Sequence, residues 1–187
     1  MGPNEQARRV FDHYRLRLGV ERPSVTAYHS DDRSLSVDLM HAADLPARGL
    51  VTVATLGLPD ASNASPSRDV RVELLLAAPC EIHYAANVLA TVAFDVIRGP
   101  FPGAWPGAVK PTAVQRNEPD AAMPDVLLIP TFCWEDLDPL PGVHFLQVIP
   151  IHASESAYCL EKGSDSLEEL FQDRQIDVFD WHRASVT

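Results

Sequence analysis

Few residues of this 187-residue sequence stand at spacings that could do chemistry. Cys80 and His83 are spaced as two metal ligands would be, but a structural zinc site needs four, usually as two such pairs, and no second pair follows. Their other reading is a packed cysteine at a strand end beside a surface histidine. His144 and His152 lie eight residues apart, roughly 27 Å along an extended chain, so they share no ion unless the chain folds back. Lys162-Gly163-Ser164 inverts the order that a phosphate loop needs and follows a helical pattern. No dinucleotide fingerprint and no serine nucleophile elbow is present. The sharpest acidic feature is Glu135, Asp136 and Asp138 beside Trp134. Carboxylates at this spacing could bind a hard cation, or pair for acid–base work if a cleft held their pKa values apart. They could equally be a solvated loop. As a contact loop, Trp134 would anchor while the acids meet Arg or Lys of a partner. These four residues, Trp134, Glu135, Asp136 and Asp138, are the candidate partner-binding site. No catalytic, cofactor-binding or metal-ligating residue is assigned. Near the end, Asp177, Asp180 and Arg183 could form a local ion-pair group, worth ~0–1 kcal/mol if exposed and more if Arg183 folds back against the body.

The elements that would position these residues follow from periodicity. Val10, Tyr14 and Leu18 recur at helical spacing, which predicts a helix over about 4–18, capped by Asn4 and ended by Gly19. Leu35, Val37 and Leu39 alternate with Ser34, Ser36 and Asp38, the pattern of a half-buried strand. Residues 50–56 and 69–77 read as further strands, with SNASPS between them as an exposed loop. Ile82, Ala85, Ala86, Leu89, Val92, Ala93 and Val96 form one broad stripe, so residues 81–98 are expected to be the longest helix. Prolines and glycines at about 99–108 exclude any regular element there. A short strand is expected at 109–116, with others at 126–130 and 143–151. Two helices then span about 154–173, with Gly163 closing the first and Ser164 capping the second. The expected class is α+β, a single domain over 1–187, with a mixed or antiparallel sheet packed with a long central helix and a C-terminal helix pair.

Composition bounds what such a domain can do. The chain is nearly half apolar (46%), enough for a sizeable core. Its formal net charge of -11 repels nucleic-acid phosphate and anionic membrane surfaces and attracts a basic partner. Cys80, Cys133 and Cys159 are odd in number and widely spaced, which argues against a disulfide framework. No apolar run approaches the ~20 residues of a membrane span, and the first residues lack an apolar signal core. A soluble protein of a reducing cytoplasm is expected.

The tail carries a resemblance. In VHFLQVIPIHASESAYCLEKGSDSLEELFQDRQIDVFDWHR, residues 143–183, Val143, His144, Leu146, Ile149, Pro150 and Ile151 match the strand of the suppressor-of-fused (SUFU-like) family. Glu155, Gly163, Asp165 and Leu167 match its helical step, and Asp180 and Arg183 its ending. Thr55 to Asp60 resembles the family's Thr-x-Gly turn, and Glu73 to Leu76 its Glu-Leu strand. The family's capping pair of Thr and Glu is here His152 and Glu155, which moves the expected helix start to Ser154. The resemblance implies a non-catalytic protein-binding domain without a cofactor. It also implies a protein partner, because bacterial single-domain members are held to serve as immunity proteins in polymorphic toxin systems. The expected partner is a basic toxin encoded nearby. The alternative is a regulatory interaction module that sequesters a transcription factor.

Overall fold

The computed structural model describes residues 3–58, 71–99, 103–134, 137 and 140–187. The elements in order are α1 (Pro3–Arg17), β1 (Ser24–His29), β2 (Ser36–Ala43), β3 (Leu50–Thr55), β4 (Arg71–Pro79), α2 (Ala85–Arg98), β5 (Val109–Lys110), β6 (Asp125–Pro130), β7 (Val143–Ile151), α3 (Ala153–Lys162) and α4 (Ser164–Asp173). The strands form one sheet in the order β1-β2-β3-β4-β7-β6-β5. Every pairing is antiparallel except β4 with β7, which is parallel from Arg71↔Val143 to Leu75↔Gln147. The fold is the α+β arrangement that the sequence pattern implies, with a mixed sheet and a C-terminal helix pair.

Both faces of the sheet are covered, so its central strands read as apolar runs rather than alternations. Along β4, Val72, Leu74, Leu76 and Ala78 point to the face covered by α2, where Val88, Leu89, Val92 and Ala93 meet them. Leu75 and Ala77 point to the opposite face and pack with Val10 and Tyr14 of α1. Further along that second face, Leu127, Ile149 and Ile151 pack with Cys159, Leu167 and Phe171 of the helix pair α3–α4. β1, at one edge, is exposed along most of its length.

Several boundaries differ from the sequence pattern. α2 begins at Ala85, not at 81, because residues 79–84 are taken up in tight turns, with Ile82 N–H on the Pro79 carbonyl and Ala85 N–H on that of Ile82. Ile82 is still buried, so it belongs to the apolar stripe without being helical. α2 has 14 residues against 15 for α1, so it is not the longest helix. β5 stops at Lys110, where Pro111 removes a ladder donor and Thr112 takes a left-handed φ of 56°. Asn4 lies within α1 rather than ahead of it. Gly19 ends α1 as expected: its φ is 65°, and Val20 N–H bonds the Arg15 carbonyl. The SNASPS loop and residues 100–102 lie outside the described residues.

Gly57 is the point where α1 meets the sheet. Its φ is +70°, and a Cβ there would sit 3.0 Å from both Cα and Cβ of Ala7. At Gly19, also left-handed, a Cβ would meet nothing within 4 Å. The pair separates strain from collision. Gly19→Ala should cost ~1 kcal/mol from backbone strain alone. Gly57→Ala should cost ~2–4 kcal/mol, because it adds overpacking against a helix backbone. Urea unfolding of the two variants checks this, and equal losses would show that α1 does not seat on Gly57.

Candidate functional site

The tail signature builds a buried carboxylate network. β7 runs directly into α3, with His152 at the N-cap position and Glu155 in the first turn. The helix therefore begins at Ala153, not at Ser154. His152 keeps the cap position because Glu155 Oε2 accepts its backbone N–H at 2.9 Å, one half of a capping box. The His152 ring also reaches Arg183, donating from Nε2 to that carbonyl at 2.9 Å, which fixes the proton on Nε2.

Arg183 forks onto Glu155 with Nη1–Oε1 at 2.6 Å and Nη2–Oε2 at 2.8 Å. Nη2 also donates to the Pro150 carbonyl, and the guanidinium lies 5.0 Å from the centre of the Phe171 ring. Val186 N–H completes the shell on Oε1 at 3.1 Å. Burial pushes the Glu155 carboxyl up, but Arg183 and the His152 and Val186 amides together hold it below the ordinary carboxylate value. Arg183 has thus folded back against the body. The carboxylates of Asp177 and Asp180 do not pair with its guanidinium; they close local turns on the N–H groups of Phe179 and His182.

The second network joins the Thr-x-Gly turn to the Glu-Leu strand. Glu73 is fully buried. Its Oε2 accepts from the Thr55 hydroxyl at 2.6 Å and its Oε1 from Leu58 N–H at 3.1 Å, while Thr55 Oγ1 accepts Leu74 N–H. Burial outweighs these bonds and the charge of Arg71, and raises the Glu73 pKa to about 8. Both carboxylates face protein on every side. They fasten the chain and offer no reacting group to a substrate.

The sequence-selected residues fall elsewhere. Trp134 is 5% exposed, inside the cluster under α1, and its indole N–H donates to Thr52 Oγ1 at 3.1 Å. With so little surface it has almost nothing to give a partner. Glu135, Asp136 and Asp138 lie outside the described residues. Cys80 and His83 are exposed, as is His144. Among the described residues no group of three or more His, Cys, Asp or Glu converges as metal ligands would. All three cysteines are free thiols. Burial pushes Cys133 up to about 11, which leaves it un-ionised beside Gln147. No helix among the described residues is long and apolar enough to cross a membrane.

One open pocket gathers acidic and aromatic side chains. It lies at the N-terminal end of α2 and has a volume of about 370 Å³. Glu81, Glu118 and Asp120 line it with Tyr84 and Trp181, and no Lys or Arg does. The Tyr84 and Trp181 rings meet edge-on at 5.7 Å. Burial, and then the nearby Glu118 carboxylate, raise the Tyr84 pKa. These residues are scattered from 81 to 181, and only the fold collects them. The sequence carries no signal for the group beyond the excess of acid.

This architecture is shared. The sequence model of the suppressor of fused protein (SUFU) family matches residues 33–184. Immunity protein YqcF of Bacillus subtilis (strain 168) is 34% identical over 175 residues, covering 88% of this chain and 89% of that protein. The crystal structure of a SUFU homologue from Neisseria gonorrhoeae FA 1090 superposes with a TM-score of 0.73 at 16% identity, over 98% of this chain and 97% of that one. A chain of the Sufu–Fu complex superposes at 0.67 with 13% identity, over 97% and 92%. The β7–α3 signature, the Thr55–Glu73 network and a family match reaching through Arg183 agree, and the chain belongs to the suppressor of fused protein family.

Proposed function

We propose that this chain is an immunity protein, which binds a cognate toxin of a polymorphic toxin system and blocks it without catalysis. The observation that carries this is the 34% identity to an immunity protein over nearly the whole of both chains. The chemistry of the chain is compatible with it. Glu73 and Glu155 are consumed in holding the fold, while other acidic side chains stay at the surface for recognition. A net charge of -11 steers a basic partner and speeds encounter, which suits an inhibitor that must reach its toxin before the target does. The place of action in this reading is the cytoplasm of the producing cell.

Co-expression tests it. The product of the adjacent gene should stop growth when expressed alone. It should lose that effect when this chain is supplied, and the two should co-purify as a one-to-one complex. A harmless neighbour that does not co-purify overturns the toxin reading.

A further inference from the structure

We propose that the open edge of β1 takes an extended segment of the partner protein as a further strand of the sheet, with a Lys or Arg at its central position lying across Ala27 to reach the Asp38 carboxylate. The proposal rests on the reading of this chain as a protein-binding inhibitor and names the surface it uses.

The backbone is the first reason. β1 is the outer strand of the sheet, beside β2. Ser30 N–H bonds the Leu35 carbonyl where the two strands turn. Hydrogen-bonded and non-bonded pairs alternate along an antiparallel ladder, so Ser24, Thr26 and Tyr28 turn their backbone groups to β2. The β2 side agrees. Leu56 N–H bonds the Asp38 carbonyl, so Asp38 faces β3 while its neighbours Val37 and Leu39 face β1. Val25, Ala27 and His29 therefore present N–H and C=O outward. This edge is unguarded: Ser24–His29 holds no Lys, Asp, Glu or Pro, and its register against β2 runs without a bulge. The opposite edge, β5, is two residues long and is followed by Pro111. A row of alternating outward donors and acceptors is matched by another extended backbone.

The side chains choose the occupant. Residues opposite each other in an antiparallel pair share a face, so Val25, Ala27 and His29 lie on the face of Met40, Asp38 and Ser36. On that face Val25 is 47% exposed, and Ala27, His29 and Asp38 are exposed too. A residue added opposite Ala27 stands two strand spacings, roughly 10 Å, from Asp38. Ala27 is too small to block the way, so a long cationic side chain can lie across its methyl and meet the carboxylate. The residues two positions to either side would rest on Val25 and beside His29. A second copy of this chain fits the edge worse. Its β1 would pair Ala27 with Ala27, bring no cation to Asp38, and set one net charge of -11 against another. A basic partner brings the strand and the cation together.

The experiment uses the full chain, ¹⁵N-labelled, with acetyl-Val-Thr-Arg-Thr-Val-amide as the probe and the same peptide with Glu in place of Arg as its counterpart. The readouts are the amide resonances and amide hydrogen exchange along β1. The Arg peptide should shift the Val25, Ala27 and His29 resonances saturably and slow their exchange. Thr26 and Tyr28, whose amides β2 already holds, should change little, so protection alternates along the strand. The Glu peptide should bind about tenfold more weakly, since it sets like charges together. Asp38→Asn should weaken the Arg peptide about threefold, the usual worth of a partly exposed ion pair. Ala27→Pro deletes an outward N–H and spares the β2 ladder, so it should abolish binding. Asp38→Asn leaves the backbone alone and decides the matter even if the proline variant fails to fold. No saturation below ~10 mM, protection without the alternation, equal binding of the Glu peptide, or undiminished binding by Asp38→Asn overturns the proposal. So does sedimentation of the chain alone as a dimer with the Val25, Ala27 and His29 amides already protected, because a second copy then holds the edge. The growth assay separates this claim from the one beneath it. If folded Ala27→Pro protects cells as well as the unaltered chain does, β1 is not the toxin's site and the proposal falls while the immunity reading stands. If the unaltered chain does not protect, the immunity reading falls and the peptide titration alone decides the edge.

Discussion

Arg183→Met lowers the stability of the protein by ~3–5 kcal/mol, the usual cost of removing one partner from a buried ion pair. The two side chains are 6% and 0% exposed, so Glu155 is left charged and dry. The loss belongs to the orphaned charge more than to the missing contact. The double variant Glu155→Gln/Arg183→Met is therefore expected to be more stable than Arg183→Met alone, since a neutral amide keeps an acceptor for the His152 or Val186 amide without an unpaired charge. Urea unfolding of both variants gives the comparison. A single variant within about 1 kcal/mol of the parent would mean that the tail is not fastened by this pair. The pH dependence has a definite sign. Glu155 is held below its ordinary value in the native state, so its contribution is present above the unfolded carboxylate pKa and fades as pH falls through the native one. In Arg183→Met that acid sensitivity should disappear.

Glu73 produces the opposite slope. Its carboxyl is raised from 4.5 to about 8, so at pH 7 the native protein holds a proton that the unfolded chain has released. The unfolded state binds fewer protons across that window, and stability falls as pH rises from about 4.5 to about 8. At 1.36 kcal/mol per pKa unit the fall is on the order of 5 kcal/mol. Glu73→Gln keeps an oxygen for Leu58 N–H and an amide that can bond Thr55, but has no proton to lose. Relative to Glu73→Gln, the parent should lose stability steadily across the window and no further above it. Unfolding at a series of pH values for both proteins measures the difference, and parallel curves would show that Glu73 titrates at its ordinary value.

The two networks also show what the sequence could and could not say. Strands β4 and β7 were legible because burial on both faces leaves an apolar run with little else to be. The caps at Gly19 and Gly163 were legible because only glycine takes those φ values easily. The start of α2 was not, since the stripe continues through Ile82 while the backbone there is a turn. β5 was overextended because Val114 is buried from a turn just as it would be from a strand. At Trp134, the sequence places an aromatic beside acids, which suits a contact loop. The fold turns that ring inward to Thr52, a choice made by residues 82 positions away. Glu155 and Arg183 were each visible as family positions, but their pairing is a fact of three dimensions. The acidic pocket lay wholly out of reach, being assembled from three separate stretches of chain.

The single parallel pairing in the sheet has a consequence in time. β1 to β4 form a meander of neighbours, and β6 pairs antiparallel with both β5 and β7, so each half can assemble from nearby segments. The halves join only where β4 meets β7, about 70 residues apart in the chain. That closure has to bear its loop entropy before any contact repays it, which makes it the slow step of folding. During synthesis the first half can emerge and wait, but the sheet is not sealed until β7 has left the ribosome, with the Glu155–Arg183 clasp still to come. A chain built this way reaches its native state late. Any surface that spans both halves of the sheet exists only after that closure.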